Sequence, residues 1–248
     1  MWNRWFALGW VTPFLFAASV FVVASQRVSA PRTVVAVHPA SHYSVYGIDV
    51  SHHQGAIDWA RVAASGQVAF AWIKATEGVH HRDSRFAENW RAARGHDIAV
   101  GAYHYYSMCR TGRAQADHFI ATVPKAPNGL PHAVDVEHDA RCNRVVPSDL
   151  ALQLEDFLDR LEAHYGTRPL LYATERYRAE HASGVRAGRW VAAYSRPPSG
   201  PWQFWQYSPR GRVPGIRGPV DRNVFAGTPD ELDTRLGRSR SRSAITAR

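Results

Sequence analysis

Between Tyr46 and Phe225, short apolar runs recur eight times, and most of them end on polar, charged or aromatic residues. Runs of this length suit strands, and segments with helical spacing fall between the earlier ones, which is the pattern of a β/α architecture. Strands are expected over Tyr46–Val50, Val68–Lys74, Ile98–Tyr106, the segment entered through Pro131 that reaches Glu137, Pro169–Ala173, Trp190–Tyr194, Gln203–Tyr207 and Val220–Phe225. Helices are expected over Asp58–Ser65, Phe86–Arg94, Arg113–Thr122, Ser148–Tyr165 and Thr174–His181. The clearest is Ser148–Tyr165, where Leu150, Leu154, Phe157, Leu158 and Leu161 form one stripe and Gly166 supplies a stop. After His181 the strands are joined by Gly/Pro loops with little helix. The expected class is therefore α/β: an irregular (β/α) TIM-like barrel with reduced helices in its C-terminal part. Closure brings the first strand beside the last, making Asp49 and Asp221 neighbours in space. No Gly-x-Gly-x-x-Gly or P-loop follows any strand, which argues against a nucleotide fold.

The strand that ends Val134-Asp135-Val136-Glu137 carries the most pointed chemistry. Side chains alternate faces along a strand, so Asp135 and Glu137 share one face, with their backbone positions roughly 7 Å apart. Repulsion and burial would raise the pKa of one acid and leave the other an anion. A proton donor beside an anion is the apparatus of glycosidic bond cleavage. An isolated Asp-x-Glu more often faces solvent or pairs with Arg, so the rest of the chain decides. Other strand ends carry Asp49, Lys74, Tyr103, Tyr105, Tyr172, Gln206, Asp221 and Asn223, which a barrel gathers at one mouth.

Outside this region the chain changes character. Trp5 to Gln26 carries no charge and is mostly apolar, long enough as a helix to cross a bilayer. Four segments are expected: a signal anchor over 1–26, a linker over 27–43, the barrel over 44–232 and a basic disordered tail over 233–248. Val28-Ser29-Ala30 resembles a cleavage site, although Pro31 follows it, so the alternative to the anchor is a cleaved signal and a secreted barrel. The net charge of +9 suits an anionic partner. The arginines are scattered and no basic helix or nucleic-acid motif is present, so a cell envelope is expected and nucleic acid is not. Cys109 and Cys142, the two cysteines, lie just beyond the third and fourth strands. Sequential barrel strands are neighbours, so the two loops leave the same mouth side by side and a disulfide is expected, which needs an oxidising compartment.

Several stretches resemble glycoside hydrolase family 25, the muramidase lysozymes. They are Tyr46-Gly47-Ile48-Asp49-Val50-Ser51-His52-His53-Gln54-Gly55 with Ile57-Asp58-Trp59, then Ile73-Lys74-Ala75-Thr76-Glu77-Gly78, Gly101-Ala102-Tyr103-His104-Tyr105 and Val134-Asp135-Val136-Glu137. Trp205-Gln206-Tyr207-Ser208 and Val220-Asp221-Arg222-Asn223-Val224-Phe225 resemble its closing motifs. The likeness runs in order from about Tyr46 to Gly227. One departure is Trp190-Val191-Ala192-Ala193-Tyr194, where many members have Arg before the Tyr.

The resemblance implies hydrolysis of the β-1,4 bond between N-acetylmuramic acid and N-acetylglucosamine in peptidoglycan. It makes Glu137 the general acid and then base, Asp135 the second carboxylate, and Asp49 and Asp221 the other acids of the mouth. Two carboxylates projecting from one strand in one direction do not flank a bond, as double displacement requires; attack by the substrate's own N-acetyl oxygen, with retention, fits better. Tyr103, Tyr105, Tyr172, Trp205 and Tyr207 either stack on sugar rings or fill the core. With Lys74, Gln206 and Asn223 they complete the expected substrate contacts, although Lys74 and Glu77 can instead pair with each other. His104 is expected to make structural hydrogen bonds at the mouth. His52-His53 and His80-His81 lack metal-site spacing, so neither metal nor cofactor is expected. The expected partners are glycan strands and, through the N-terminal segment, a membrane, with the protein a monomer. A peptidoglycan-binding barrel without catalysis and a glycosidase for another N-acetylated glycan are the alternatives.

Overall fold

The computed structural model describes residues 39–138 and 148–238. The expected anchor over 1–26, the linker up to residue 38, Cys142 and the tail beyond residue 238 lie outside the described residues. Among the described residues, no helix is long and apolar enough to cross a membrane.

The strands are β1 (Tyr46–Val50), β2 (Phe70–Glu77), β3 (His81–Arg82), β4 (Ala99–Tyr105), β5 (Ala133–Asp135), β6 (Leu170–Thr174), β7 (Gly188–Ala192), β8 (Phe204–Gly211) and β9 (Val220–Phe225). Between them lie α1 (Trp59–Ala64), α2 (Phe86–Gly95), α3 (Gly112–Ile120), α4 (Leu150–Tyr165) and α5 (Glu175–His181), and α6 (Pro229–Arg235) follows. The sheet runs β1-β9-β8-β7-β6-β5-β4-β2-β3, and β1 also pairs with β2, so eight strands close into a barrel and β3 is a short addition on β2. The neighbours from β1 through β2, β4, β5, β6 and β7 to β8 are parallel. β9 is antiparallel to both β8 and β1. Only residues 212–219 separate β8 from β9, too short a stretch for the helical crossover that usually joins parallel strands.

Period-two alternation sorts the strand residues into two apolar layers. One face of each strand packs inside the barrel, where Phe70, Trp72, Tyr103, Leu170, Tyr172, Trp190, Phe204 and Phe225 are buried together. Trp72 stacks on Trp190 with ring centroids 4.3 Å apart. Room for these rings comes from inward glycines: a Cβ on Gly47 would lie 2.2 Å from the Phe70 ring, and one on Gly101 would lie 2.6 Å from the Trp72 indole nitrogen. The other face, with Ile48, Ile73, Val100, Val134 and Leu171, packs against the helices. The predicted stripe of α4 is buried there through Leu150, Leu154, Phe157, Leu158 and Leu161, and Gly166 ends the helix in the left-handed conformation at φ 76.

Two boundaries differ from expectation. β2 runs on to Glu77 because it contains a bulge, seen as a register shift between Lys74 and Thr76. The barrel unit was expected to end at 232 with a disordered tail from 233. Instead α6 crosses that point, capped by Thr228 and Glu231 in a reciprocal capping box, and Leu232 and Leu236 are buried in the same cluster as the barrel interior. The charged residues of this stretch masked a short amphipathic helix.

Candidate active site

Tyr105, Asp135 and Tyr172 are register partners across β4, β5 and β6, so they form one rung of the barrel. The ladder continues one step, since Val136 N–H donates to the Tyr172 carbonyl at 3.0 Å. Val134 and Val136 are buried on the helix side. Asp135 and Glu137 therefore both point to the mouth. The antiparallel course of β9 matters here: its first residues, not its last, meet the end of β1, and Asp49 is the register partner of Asp221. Directly opposed residues have Cβ atoms about 4.5–5.5 Å apart. Asp49, Asp135, Glu137 and Asp221 thus border one cavity of ≈ 320 Å³, with Lys74, Tyr103, Tyr105, Tyr172, Trp190, Tyr194 and Gln206. A concavity of ≈ 440 Å³ at the opposite end of the barrel, beside Leu130 and His132, is lined by no carboxylate.

Hydrogen bonds fix the acids unequally. Asp49 Oδ2 accepts from Asn223 Nδ2 at 2.7 Å and from Gln206 Nε2 at 2.9 Å. Both amides are themselves oriented. Asn223 Oδ1 accepts from Trp190 Nε1 at 2.8 Å. Gln206 Oε1 accepts from the Tyr172 hydroxyl at 2.8 Å and from the Tyr194 hydroxyl at 2.6 Å. Burial raises the Asp49 carboxyl to about 6; the two amide donors oppose that rise and Glu137 adds to it. Asp135 has no such support. Its Oδ1 is buried without a hydrogen-bond partner among the described residues, and burial, then Glu137 and Asp49, push it well above the usual carboxylate range against the pull of Lys74. Glu137 is raised by burial, with the Tyr172 hydroxyl and Lys74 acting in the other direction. Asp221 rises to about 8 through burial and the adjacent Asp49. Tyr103 and Tyr172 are raised by burial and by the carboxylates around them, so both remain hydrogen-bond donors.

The bulge in β2 has a local purpose. On a regular strand, residues three apart face opposite sides, but the extra residue brings Lys74 and Glu77 together, and Lys74 Nζ donates to Glu77 Oε2 at 2.6 Å. Lys74 Nζ also sits 4.9 Å from the centre of the Tyr105 ring.

Not every expected residue reaches the mouth. Trp205 and Tyr207 flank the inward Gln206 and so lie on the outer face of β8. Trp205 is buried beside Ala40 and Val224, with Tyr43, Trp202 and Tyr207 packed against that cluster. Its indole N–H donates to the Ala193 carbonyl at 2.6 Å. Asn223 is inward but fully buried, with both ends of its amide engaged beneath Asp49. His104 makes the expected structural hydrogen bonds, to Thr76 Oγ1 at 2.7 Å and Gln115 Oε1 at 3.1 Å. It does so outside the barrel, where burial lowers it to about 3. His52 is 2.8 Å from Asp83 through Nδ1. Tyr194 and Trp190 are mouth residues that strand-end inspection overlooked. The alternation Trp190, Ala192, Tyr194 marks both as inward-facing.

The chain and its barrel are similar to known proteins. The family model "Glycosyl hydrolases family 25" matches residues 48–216. The chain is 37% identical over 220 residues to "Lysozyme M1" of Streptomyces globisporus, covering 79% of this chain and 72% of that one. Among solved structures, a family 25 glycosyl hydrolase from Bacillus anthracis superposes with a TM-score of 0.73 at 35% identity, over 78% of this chain and 94% of the other. A bacterial lysozyme from Streptomyces coelicolor gives a TM-score of 0.69 at 33% identity, over 79% and 99%. The family model spans Asp49, Asp135 and Glu137, and with these relatives in sequence and fold the chain belongs to family 25 of the glycosyl hydrolases.

Proposed function

We propose that the protein is an N-acetylmuramidase that cleaves the β-1,4 bond between N-acetylmuramic acid and N-acetylglucosamine in peptidoglycan. The observation that carries the reading is the pairing of Asp135 and Glu137 on one side of one strand end, with Asp135 Oδ1 buried and unpartnered among the described residues. An acetamido N–H of the substrate would satisfy that oxygen. Burial and mutual repulsion favour a single proton over the two acids. Asp135 is the more strongly raised of the two, and an acetamido N–H donated to it would favour its anion and leave the proton on Glu137.

In this reading Glu137 holds the proton and delivers it to the glycosidic oxygen as the C–O bond breaks. The acetamido oxygen attacks the anomeric carbon from the other face and closes an oxazolinium ring, while the Asp135 anion accepts the N–H and steadies the positive charge. Glu137, now a carboxylate, takes a proton from water as its oxygen opens the ring. Configuration at the anomeric carbon is retained. Asp49 adds negative potential along the rim, while Asp221, raised to about 8, keeps its proton near neutral pH. Cys109 is not a free thiol; we infer that it pairs with Cys142 and braces this rim. The same reading places the barrel outside the cytoplasm as a monomer, held at a membrane by the segment 1–26.

The test is turnover of purified peptidoglycan, with mass spectrometry of the released muropeptides and NMR of the first anomer formed. Glu137→Gln is expected to lower turnover by about a hundred- to ten-thousand-fold while glycan binding persists. Near wild-type turnover by this variant removes Glu137 as the acid, and an inverted first product removes the acetamido route. Cleavage of chitin in preference to peptidoglycan would point to another N-acetylated glycan.

A further inference from the structure

Beside the acidic mouth lies a second concavity of ≈ 880 Å³, and His53 borders both. One wall is the segment from Gln54 to Arg61, and the other is the β8–β9 loop from Val213 to Arg217. The two walls are locked to each other. Asp58 N–H donates to the Gly215 carbonyl at 2.9 Å, and Gln54 Nε2 reaches the Pro219 carbonyl at 3.5 Å, two residues before Asp221. Gly215 has φ +97, and a Cβ there would lie 2.5 Å from the Asp58 carbonyl oxygen, so the approach is as close as backbone allows. The groove is therefore a preformed extension of the cleft.

Its charge is opposite to that of the mouth. Arg61 and Arg217 line it from the two walls, and both side chains are exposed. Neither guanidinium forms an ion pair or hydrogen bond with another described residue. Asp58 is the one carboxylate among the lining residues, and its Oδ1 is occupied in capping α1, where it accepts from Arg61 N–H at 3.0 Å.

We propose that this groove binds carboxylates of the peptide stem carried by the muramic acid residue, and so makes the protein selective for peptide-bearing glycan. The inference rests on the muramidase reading. Each muramic acid bears its peptide through a lactyl ether, and that peptide ends in free carboxylates. The anions at the mouth, Asp49 and one of the Asp135/Glu137 pair, repel these groups, whereas a fixed groove with a guanidinium on either wall attracts them and can meet each in bidentate fashion. Sugar ring and peptide are thereby sorted by charge into adjoining concavities.

The experiment compares the full chain with Arg61→Gln, Arg217→Glu and the double variant Arg61→Gln/Arg217→Glu on two substrates. One is soluble glycan fragments with intact peptides; the other is the same glycan stripped of peptide by an amidase. On peptide-bearing fragments, KM should rise by up to about fivefold per arginine, as for exposed ion pairs, and the wild-type KM should rise with salt. On stripped glycan the variants should match the wild type. Equal losses on both substrates, or no loss on either, overturn the proposal. A wild type that cleaves stripped glycan with the same KM as peptide-bearing glycan also overturns it while leaving the muramidase reading intact. A wild type that cleaves neither refutes the muramidase reading itself.

Discussion

Replacing Gln206 with Met keeps most of the side-chain volume and removes one of the two amide donors that hold Asp49. In the native site Gln206 Nε2 donates to Asp49 Oδ2 at 2.9 Å, and Asn223 supplies the other bond at 2.7 Å. Burial already raises Asp49 to about 6. A hydrogen bond to a charged group is worth about 1.5–3 kcal/mol, so its loss should raise the carboxyl by about 1–2 further pKa units. The four acids titrate as a group, so the quantity to follow is the apparent acidic limb of kcat/KM. That limb should move from about 6 to between about 7 and 8, with the rate recovering at higher pH. The assay is initial rates on a soluble glycan fragment from pH 4 to 9, with thermal melts at each pH to correct for unfolding. Tyr194→Phe is the graded control. It leaves the amide in place and removes one of the two hydroxyls that orient it, so its shift should be smaller. A Gln206→Met enzyme that loses rate equally at every pH, with the limb unmoved, would refute the claim that the amide keeps Asp49 ionised.

Three further outcomes are expected. Asp221 is raised to about 8 from its ordinary 3.8, so the stability it contributes is fully present below about 3.8 and is lost as the pH rises towards 8. The wild-type melting temperature should therefore fall between pH 5 and 8, and Asp221→Asn should flatten that fall; parallel curves would count against the burial of this acid. Gly47→Ala places a methyl group 2.2 Å from the Phe70 ring. The overpacking should cost about 1–3 kcal/mol, or roughly 2–10 °C in melting temperature, and a neutral result would mean that the interior can give. If Cys109 and Cys142 are bridged, reductant should destabilise the barrel by about 3–4 kcal/mol for a loop of that length; two thiols titrating freely in protein from an oxidising compartment would contradict the bridge.

The acidic strand was legible because alternation alone puts Asp135 and Glu137 on one face. The same rule sets Trp205 and Tyr207 opposite Gln206, yet motif likeness groups all three, and only the buried outer cluster around Trp205 separates them. Tyr194 was hidden for a related reason: it stands two residues beyond the last residue of β7, at 192, where the ladder has ended but the alternation has not. The bulge at Ala75 left no local signature: Lys74 closes the expected strand, and Glu77 falls beyond it. The direction of β9, and with it the place of Asp221, required the register, because the expected strand before it ended at Tyr207 and left a gap long enough for a crossover. The concave groove lined by Arg61 and Arg217 depends on a backbone contact between segments far apart in sequence, which composition cannot express.

The pairing of β1 with β9 joins the first and last strands of the barrel, and through it Asn223 reaches Asp49 across a separation of 174 residues. Such a contact is among the slowest to form, since loop closure must precede it. The acidic rim is completed only once β9 has paired with β1. A partly synthesised or proteolytically shortened chain lacks Asp221 and leaves Asp49 without one of its donors. Circular closure therefore ties the acidic rim to the whole barrel: the four carboxylates share one mouth only when the last strand has joined the first.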